Sequence, residues 1–419
     1  MPTLYERSEA VHAVFPQGKL AITPTKPLAT PDDLALAYSP GVAGPVLAIA
    51  ENPEAAYRFT TKGNLVGVIS NGSAILGLGN RGPLASKPVM EGKAVLFKQF
   101  GGVDAFDIEL NAPTVDEMVQ AIAAMAPTFG GINLEDIKAP ECFEVEERLR
   151  SMLDIPVFHD DQHGTAVVAC AGLLNALIIA GKDLSAVRIV VNGAGAAGIA
   201  IASKLLALGV PKEHLLLGDS KGIVGDHRTD LNRWKQRFAV TTLHRTLADA
   251  VRGADVFIGV SKAGLLTDDM LQSMANDPIV FALANPDPEI MPDRAKAIRS
   301  DVIIATGRSD FANQVNNLLC FPFLFRGALD ARATKITPAM ELAAIHALSS
   351  LTRTPVPSDV LQIYKLPSLI FGRDYILPKP FDPRLRDVVS SAVKMASLEE
   401  DRKSTRLNSS HVSESRMPS

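Results

Sequence analysis

Between residues 187 and 307 the chain alternates short apolar runs with helical stretches, and this rhythm restricts the possible folds more than any other feature. VRIVVN, HLLLGD, DVFIGV, IVFALAN and VIIATG are strand-length and rich in aliphatic side chains. IAIASKLLALGV, LADAVRG and LTDDMLQSMAN lie between them with helical spacing. A parallel strand connection needs a crossover long enough to hold a helix, so the pattern predicts a doubly wound, Rossmann-type parallel α/β sheet. GAGAAG follows VRIVVN directly. Gly193, Gly195 and Gly198, with Ala196 and Ala197 between them, form a GxGxxG turn that opens a helix, the setting in which backbone N–H groups and the helix dipole hold a pyrophosphate. Asp219 ends the next strand about 20 residues on, where an acidic residue meets the adenosine ribose. Its carboxylate suits the 2′-hydroxyl of NAD, whereas Ser220 and Lys221 beside it suit the 2′-phosphate of NADP, and the reading leans to NADP.

Gly77, Gly79 and Gly82 repeat the spacing, but Pro88 interrupts the helix that a dinucleotide would require after them. That run reads as a packing turn. Residues 1–160 break often at proline and glycine yet still hold strands LVGVIS (65–70), INLEDI (132–137) and PVFHDD (156–161). Helical segments over 113–130 and at ECFEVEERLRSML accompany them, predicting an N-terminal α/β catalytic domain. The NAD(P)-binding domain with its C-terminal helices then covers 161–398. Residues 399–419, Ser- and Arg-rich, lack periodicity and read as a disordered tail that resembles a translated sequencing-adapter peptide, which places the natural C-terminus elsewhere.

With 42 basic and 46 acidic side chains the net charge is −4, so neither nucleic acid nor an anionic membrane is an electrostatic partner. The apolar stretch 165–180 is short for a membrane span and reads as a buried helix. Cys142, Cys170 and Cys320 show no CxxC spacing, and the N-terminus lacks a secretory apolar core, which together predict a reducing cytoplasm.

Hydride transfer needs a base and a group that stabilises the developing carbonyl. Glu135 and Asp136 close one predicted strand and Asp160 and Asp161 another, and carboxylates gathered at strand ends suit Mg²⁺ or Mn²⁺. Lys93 is an amine among apolar neighbours, and Tyr38 stands in LAYSPGVAGP. His159 and His163 have the i, i+4 spacing of a zinc pair, but Asp160 occupies the place of the metalloprotease glutamate, so zinc is rejected.

Taken jointly, LAYSPGVAGP, SNGSAILGLGNRGPLASKPVMEGKAVLFKQFGG, INLEDIKAPECFEVE, FHDDQHGTA, VNGAGAAG, FALANPDPEI and ATGRSDFANQVNNLLCFPFLFRGAL resemble the bacterial malic enzyme family from about residue 10 to 395. The resemblance implies Tyr38 as acid, Lys93 as base supported by Asp160, and Glu135, Asp136 and Asp161 as ligands of Mg²⁺ or Mn²⁺. It also implies that Asn285, Asn316 and Asn317 contact substrate and, for Asn285 and Asn317, the coenzyme. The implied reaction is oxidative decarboxylation of (S)-malate to pyruvate and CO₂ by a homodimer. A base working near neutral pH requires that the Lys93 pKa be lowered. Two departures stand out. Ala74 replaces an arginine of the larger eukaryotic-type enzymes, with Arg81 the nearest basic residue in sequence, and the phosphotransacetylase-like C-terminal domain of many relatives does not follow. The alternatives are a 2-hydroxy-acid dehydrogenase that releases no CO₂ and a non-catalytic regulatory homologue.

Overall fold

Four strands, β1 (Leu65–Ser70), β2 (Asp104–Glu109), β3 (Gly131–Leu134) and β4 (Val157–His159), form an all-parallel sheet in the order β2-β1-β3-β4. The computed structural model describes residues 2–75 and 77–414, with side chains to residue 403. A second sheet contains β5 (Ile189–Asn192), β6 (Leu215–Asp219), β7 (Gly222–Ile223), β8 (Val256–Gly259), β9 (Ile279–Ala282) and β10 (Ile303–Thr306), in the order β10-β9-β8-β5-β6-β7. All its pairings are parallel except the short β6–β7 edge. Every strand predicted between 187 and 307 is present. The order runs outward from β5 on one side and resumes at β8 on the other, so the crevice for a ligand lies at the carboxyl ends of β5 and β8.

Side-chain alternation explains why the second sheet is covered on both faces. Ile189 and Val191 of β5 face a core that also takes in Val66 and Ile132 of the first sheet, while Val190 joins a separate cluster with Phe257, Val280 and Ile304. The larger core is therefore continuous between the two sheets. Helix Phe321–Asp330 helps to join them: Phe321 and Phe325 meet Phe97 edge-on, with centroids 4.8 and 5.3 Å apart, and Phe325 also meets Phe158.

Three expectations differ from the structure. Pro88 does not interrupt its segment; helix Pro83–Leu96 runs through it. Losing one internal N–H donor is offset because Met90 and Ala94 on the same helix are fully buried. Asp160 and Asp161 do not end a strand but begin helix Asp160–Ala180, which lies inside the core despite being apolar enough to cross a membrane. Finally, residues 399–414, read as disordered, continue helix Arg384–Glu414, while 415–419 lie outside the described residues. A helix already docked along helices Phe321–Asp330 and Pro338–Thr352 has no nucleation cost left, so it extends through the helix-favouring run at 398–403.

Phe97 ties helix Phe321–Asp330 to the first sheet with no exposed surface. Phe97→Ala is expected to cost about 3–5 kcal/mol, read as a lower urea midpoint with circular dichroism. A loss under about 1 kcal/mol would show that this aromatic contact does not hold the two sheets together.

Candidate active site

Helix Pro83–Leu96 delivers Lys93 to the carboxyl end of the first sheet, where acidic residues directly follow β3 and β4. Lys93 Nζ lies 2.8 Å from Glu135 Oε1 and 2.6 Å from Asp160 Oδ2, and 4.2 Å from the centroid of the Phe321 ring. Its side chain is 10% exposed, and that of Asp160 is fully buried. Asn317 donates to the same Asp160 oxygen at 3.0 Å, and Thr165 donates to Asn317 at 2.9 Å. Asp160 Oδ1 has no hydrogen-bond partner among the described residues. Its place in the first turn depends on Gly164, since a Cβ there would stand 2.0 Å from that oxygen.

Glu135, Asp136 and Asp161 converge, each offering an oxygen within 4.8 Å of the others. Asp136 adopts a left-handed backbone (φ 53°), a conformation costing of order 1–3 kcal/mol in a residue other than glycine, and its N–H donates to Asp161 Oδ2 at 2.8 Å. Burial and the neighbouring Asp161 and Asp160 raise the Glu135 carboxyl well above its ordinary value, although Lys93 opposes them. One ammonium faces four carboxylates here. An all-oxygen donor set with that excess of negative charge fits a hard divalent cation.

The Lys93 amine departs from its expected direction. Burial lowers its pKa, but Asp160 and Glu135 outweigh burial and hold it above the ordinary lysine value. The carboxylates reasoned to support a base therefore keep that base protonated when no cation offsets them.

Across a cleft of about 980 Å³, the GxGxxG turn faces this cluster: Ala196 and Ala197 line the same space as Lys93, Glu135 and Asp161. Each glycine has a distinct steric reason. A Cβ on Gly193 (φ 124°) would lie 2.6 Å from the Val260 carbonyl of the β8 end, and one on Gly198 would lie 1.7 Å from the Gly193 carbonyl. Gly195 has open space before it and begins helix Ala196–Ala207, leaving room for a pyrophosphate to approach the backbone. Asn285, Asn316 and Asn317 line the cleft as well.

Asp219 is saturated. Its Oδ1 accepts from Arg228 at 2.7 Å and the Lys221 N–H at 2.9 Å, and its Oδ2 accepts from Lys235 at 2.6 Å and Arg228 at 3.2 Å. Burial would raise its pKa, but these donors hold it below the ordinary aspartate value. Arg228 and Lys235 escaped the sequence reading because nothing in their spacing ties them to a strand end 9 and 16 residues earlier.

Two predicted residues are elsewhere. Tyr38 ends helix Pro31–Ala37 with 70% of its surface exposed, does not line the cleft, and its hydroxyl has no hydrogen bond among the described residues. Arg81 is exposed and also does not line the cleft, whereas Lys19 does. His163 is engaged away from any zinc site, with Nε2 2.9 Å from Glu146 and Nδ1 3.2 Å from Glu341, which also pairs with Lys204 of the GxGxxG helix. Burial disfavours the imidazolium, but the two glutamates outweigh it and push His163 up to about 9.

Two family models match the chain: "Malic enzyme, N-terminal domain" over residues 17–115 and 112–150, and "Malic enzyme, NAD binding domain" over residues 162–369. An NADP-dependent malic enzyme of Halomonas elongata is 59% identical over 93% of this chain and 92% of its own length. An NAD-dependent malic enzyme of Rhizobium meliloti is 57% identical over 91% of this chain but only 50% of its own, so the chain spans about half of that relative. The crystal structure of a malic enzyme from Pyrococcus horikoshii superposes with a TM-score of 0.88 at 42% identity, covering 95% of this chain and 92% of that one.

The buried charge chain Glu146–His163–Glu341–Lys204 has a measurable pH signature. A His163 pKa of about 9, above the unfolded value of 6.5, adds stability that is complete below about pH 6.5 and lost as pH rises through 9. Removing one partner by Glu341→Gln is expected to cost about 3–5 kcal/mol near neutral pH and to flatten the decline in urea midpoint between pH 6.5 and 9.5. Equal declines in both proteins would contradict this assignment.

Proposed function

The chain belongs to the malic enzyme family, and from that premise we propose that it oxidatively decarboxylates (S)-malate to pyruvate and CO₂ while reducing NADP⁺ or NAD⁺. The observation that carries this reading is the meeting, in one cleft, of the Lys93–Asp160–Glu135 contact, a three-carboxylate cluster and the glycine turn at 193–198.

Glu135, Asp136 and Asp161 would hold Mg²⁺ or Mn²⁺. Such a cation would supply Lewis-acid polarisation of the developing carbonyl, and its charge would offset the carboxylates that keep Lys93 protonated. The glycine turn at Gly193–Gly198 would hold the coenzyme pyrophosphate, and the coenzyme would supply the acceptor for the C2 hydride. Lys93 accepts the hydroxyl proton, and Asp160, itself positioned by Asn317, directs the amine toward it. Asn285, Asn316 and Asn317 align the substrate and the nicotinamide end of the coenzyme. Once the C3–C4 bond of the keto acid has broken and its C4 carboxylate has left as CO₂, Tyr38 would donate a proton to C3 to give pyruvate.

For Tyr38 to reach a site it does not line within its own chain, a second copy must bring it. Helices Leu4–Ala13, Pro31–Ala37 and Ala43–Glu51 have no buried residue and expose Leu4, Tyr5, Leu34, Leu36, Val46 and Leu47. Apolar exposure on this scale supports a homodimer with shared sites. The coenzyme reading favours NADP: Lys221, Arg228 and Lys235 surround Asp219 and Asp230 with one positive charge to spare, and Asp219 has no acceptor capacity left for a ribose hydroxyl. The proposed location is the cytoplasm.

Malate-dependent NADP⁺ reduction should yield pyruvate and CO₂ in equal amounts, require Mn²⁺ and stop with EDTA. Oxaloacetate release without CO₂ would make this a simple dehydrogenase, and no turnover with either coenzyme would make it a non-catalytic relative. Lys93→Ala should lower kcat by about 10²–10⁴-fold. Mixing separately inactive Tyr38→Phe and Lys93→Ala proteins should restore about one quarter of the activity through hybrid dimers. No recovery would place Tyr38 and Lys93 of each site on the same chain.

A further inference from the structure

A substrate with two carboxylates needs a second anion site beside the one facing the acidic cluster, and the cleft has three lysine ammonium groups to supply it: Lys19, Lys93 and Lys138. Lys93 is held by Asp160 and Glu135. Lys138 is paired with Glu141 at 2.9 Å, with 53% of its side chain exposed. Lys19 differs from both. Its Nζ donates to the Pro88 carbonyl at 2.6 Å and lies 2.6 Å from His12 Nε2, and no carboxylate is within ion-pair distance among the described residues. His12 Nδ1 lies 2.7 Å from the Ser8 carbonyl, which can only accept, so Nδ1 carries the ring hydrogen and Nε2 offers a lone pair to Lys19. Both neighbours of the ammonium are neutral. The nearby Glu91 carboxylate accepts from the Lys19 backbone N–H at 2.9 Å.

The position of this charge is built into the fold. Gly92, one residue before Lys93, presents no side chain, and a Cβ there would stand 3.7 Å from Lys19 Nζ. The N-terminal segment thus lays an ammonium with no ion-pair partner among the described residues against the helix turn that carries Lys93, with Glu91 and Asp107 acting on it only at longer range and its third N–H not engaged by Pro88 or His12. Ala74, which also lines the cleft, brings no charge.

We propose that Lys19 binds the substrate carboxylate remote from the acidic cluster and so selects hydroxy dicarboxylic acids over hydroxy monocarboxylic acids. The inference rests on the functional reading above. A single charge-assisted hydrogen bond to a carboxylate changes affinity by about 10- to 100-fold.

The test compares Lys19→Met and Lys19→Arg with the unaltered enzyme in the presence of Mn²⁺, using malate as substrate and oxalate as inhibitor. Oxalate has two adjoining carboxylates and no remote one. Lys19→Met should raise the malate KM by about 10- to 100-fold while leaving the oxalate inhibition constant within about threefold, and Lys19→Arg should recover much of the malate affinity. Parallel weakening of malate and oxalate would reduce Lys19 to an anchor for the N-terminal segment and overturn the proposal. An unchanged malate KM, or a rise produced by Lys138→Met instead, would also overturn it. If the unaltered enzyme does not turn malate over, the functional reading fails. Calorimetric binding of malate against oxalate to Mn²⁺-loaded protein then still decides the role of Lys19 by the same pattern.

Discussion

A protonated lysine between two buried carboxylates is the contact on which the remaining structure depends. Lys93 reaches Asp160 and Glu135 from a helix, a helix start and a strand end that are far apart in sequence, and the ion pairs fix all three. The energetics are demanding, because each buried charge loses several kcal/mol of hydration that only close partners return. Phe321 beneath the ammonium and Asn317 beside Asp160 come from the segment after the second sheet. The site is consequently closed by both halves of the chain, and the first sheet alone cannot assemble it.

The same charges prepare the site for a cation. Four carboxylates against one ammonium leave a local excess that the protein does not neutralise itself, and Asp136 holds a strained backbone to join the cluster. A site that pre-pays this cost exchanges stability for a ready set of oxygen donors. The second buried network, through His163, Glu341 and Lys204, runs from the helix bearing Asp161 to the helix that starts at the glycine turn. Both binding elements thereby share one rigid support.

Much of this was legible in the sequence where local chemistry sets local structure. The βα rhythm revealed the second sheet because each buried strand is an uninterrupted apolar run, and GAGAAG showed its purpose because each glycine answers a separate steric demand. Strand β2 was missed, since DAFDIE at a sheet edge is half-polar, and so was helix Pro83–Leu96, where docking of Met90 and Ala94 outweighs a proline. Asp160 and Asp161 were read at the end of a strand but open a helix, because the strand and the helix meet without a linking turn. Other features were not legible at all. The clamp on Asp219 is made by residues in the following loop and short helix whose spacing carries no motif, the neutral surroundings of Lys19 arise only when the N-terminal segment meets its helix, and the direction of the Lys93 shift depends on how many carboxylates converge.

The central claim is that one divalent cation belongs among Glu135, Asp136 and Asp161, within reach of Lys93. Anomalous diffraction from crystals soaked in Mn²⁺, collected above the manganese absorption edge, addresses it directly. The account predicts one strong peak per chain bounded by oxygens of those three residues. A peak bound elsewhere, or none at saturating Mn²⁺, would contradict it.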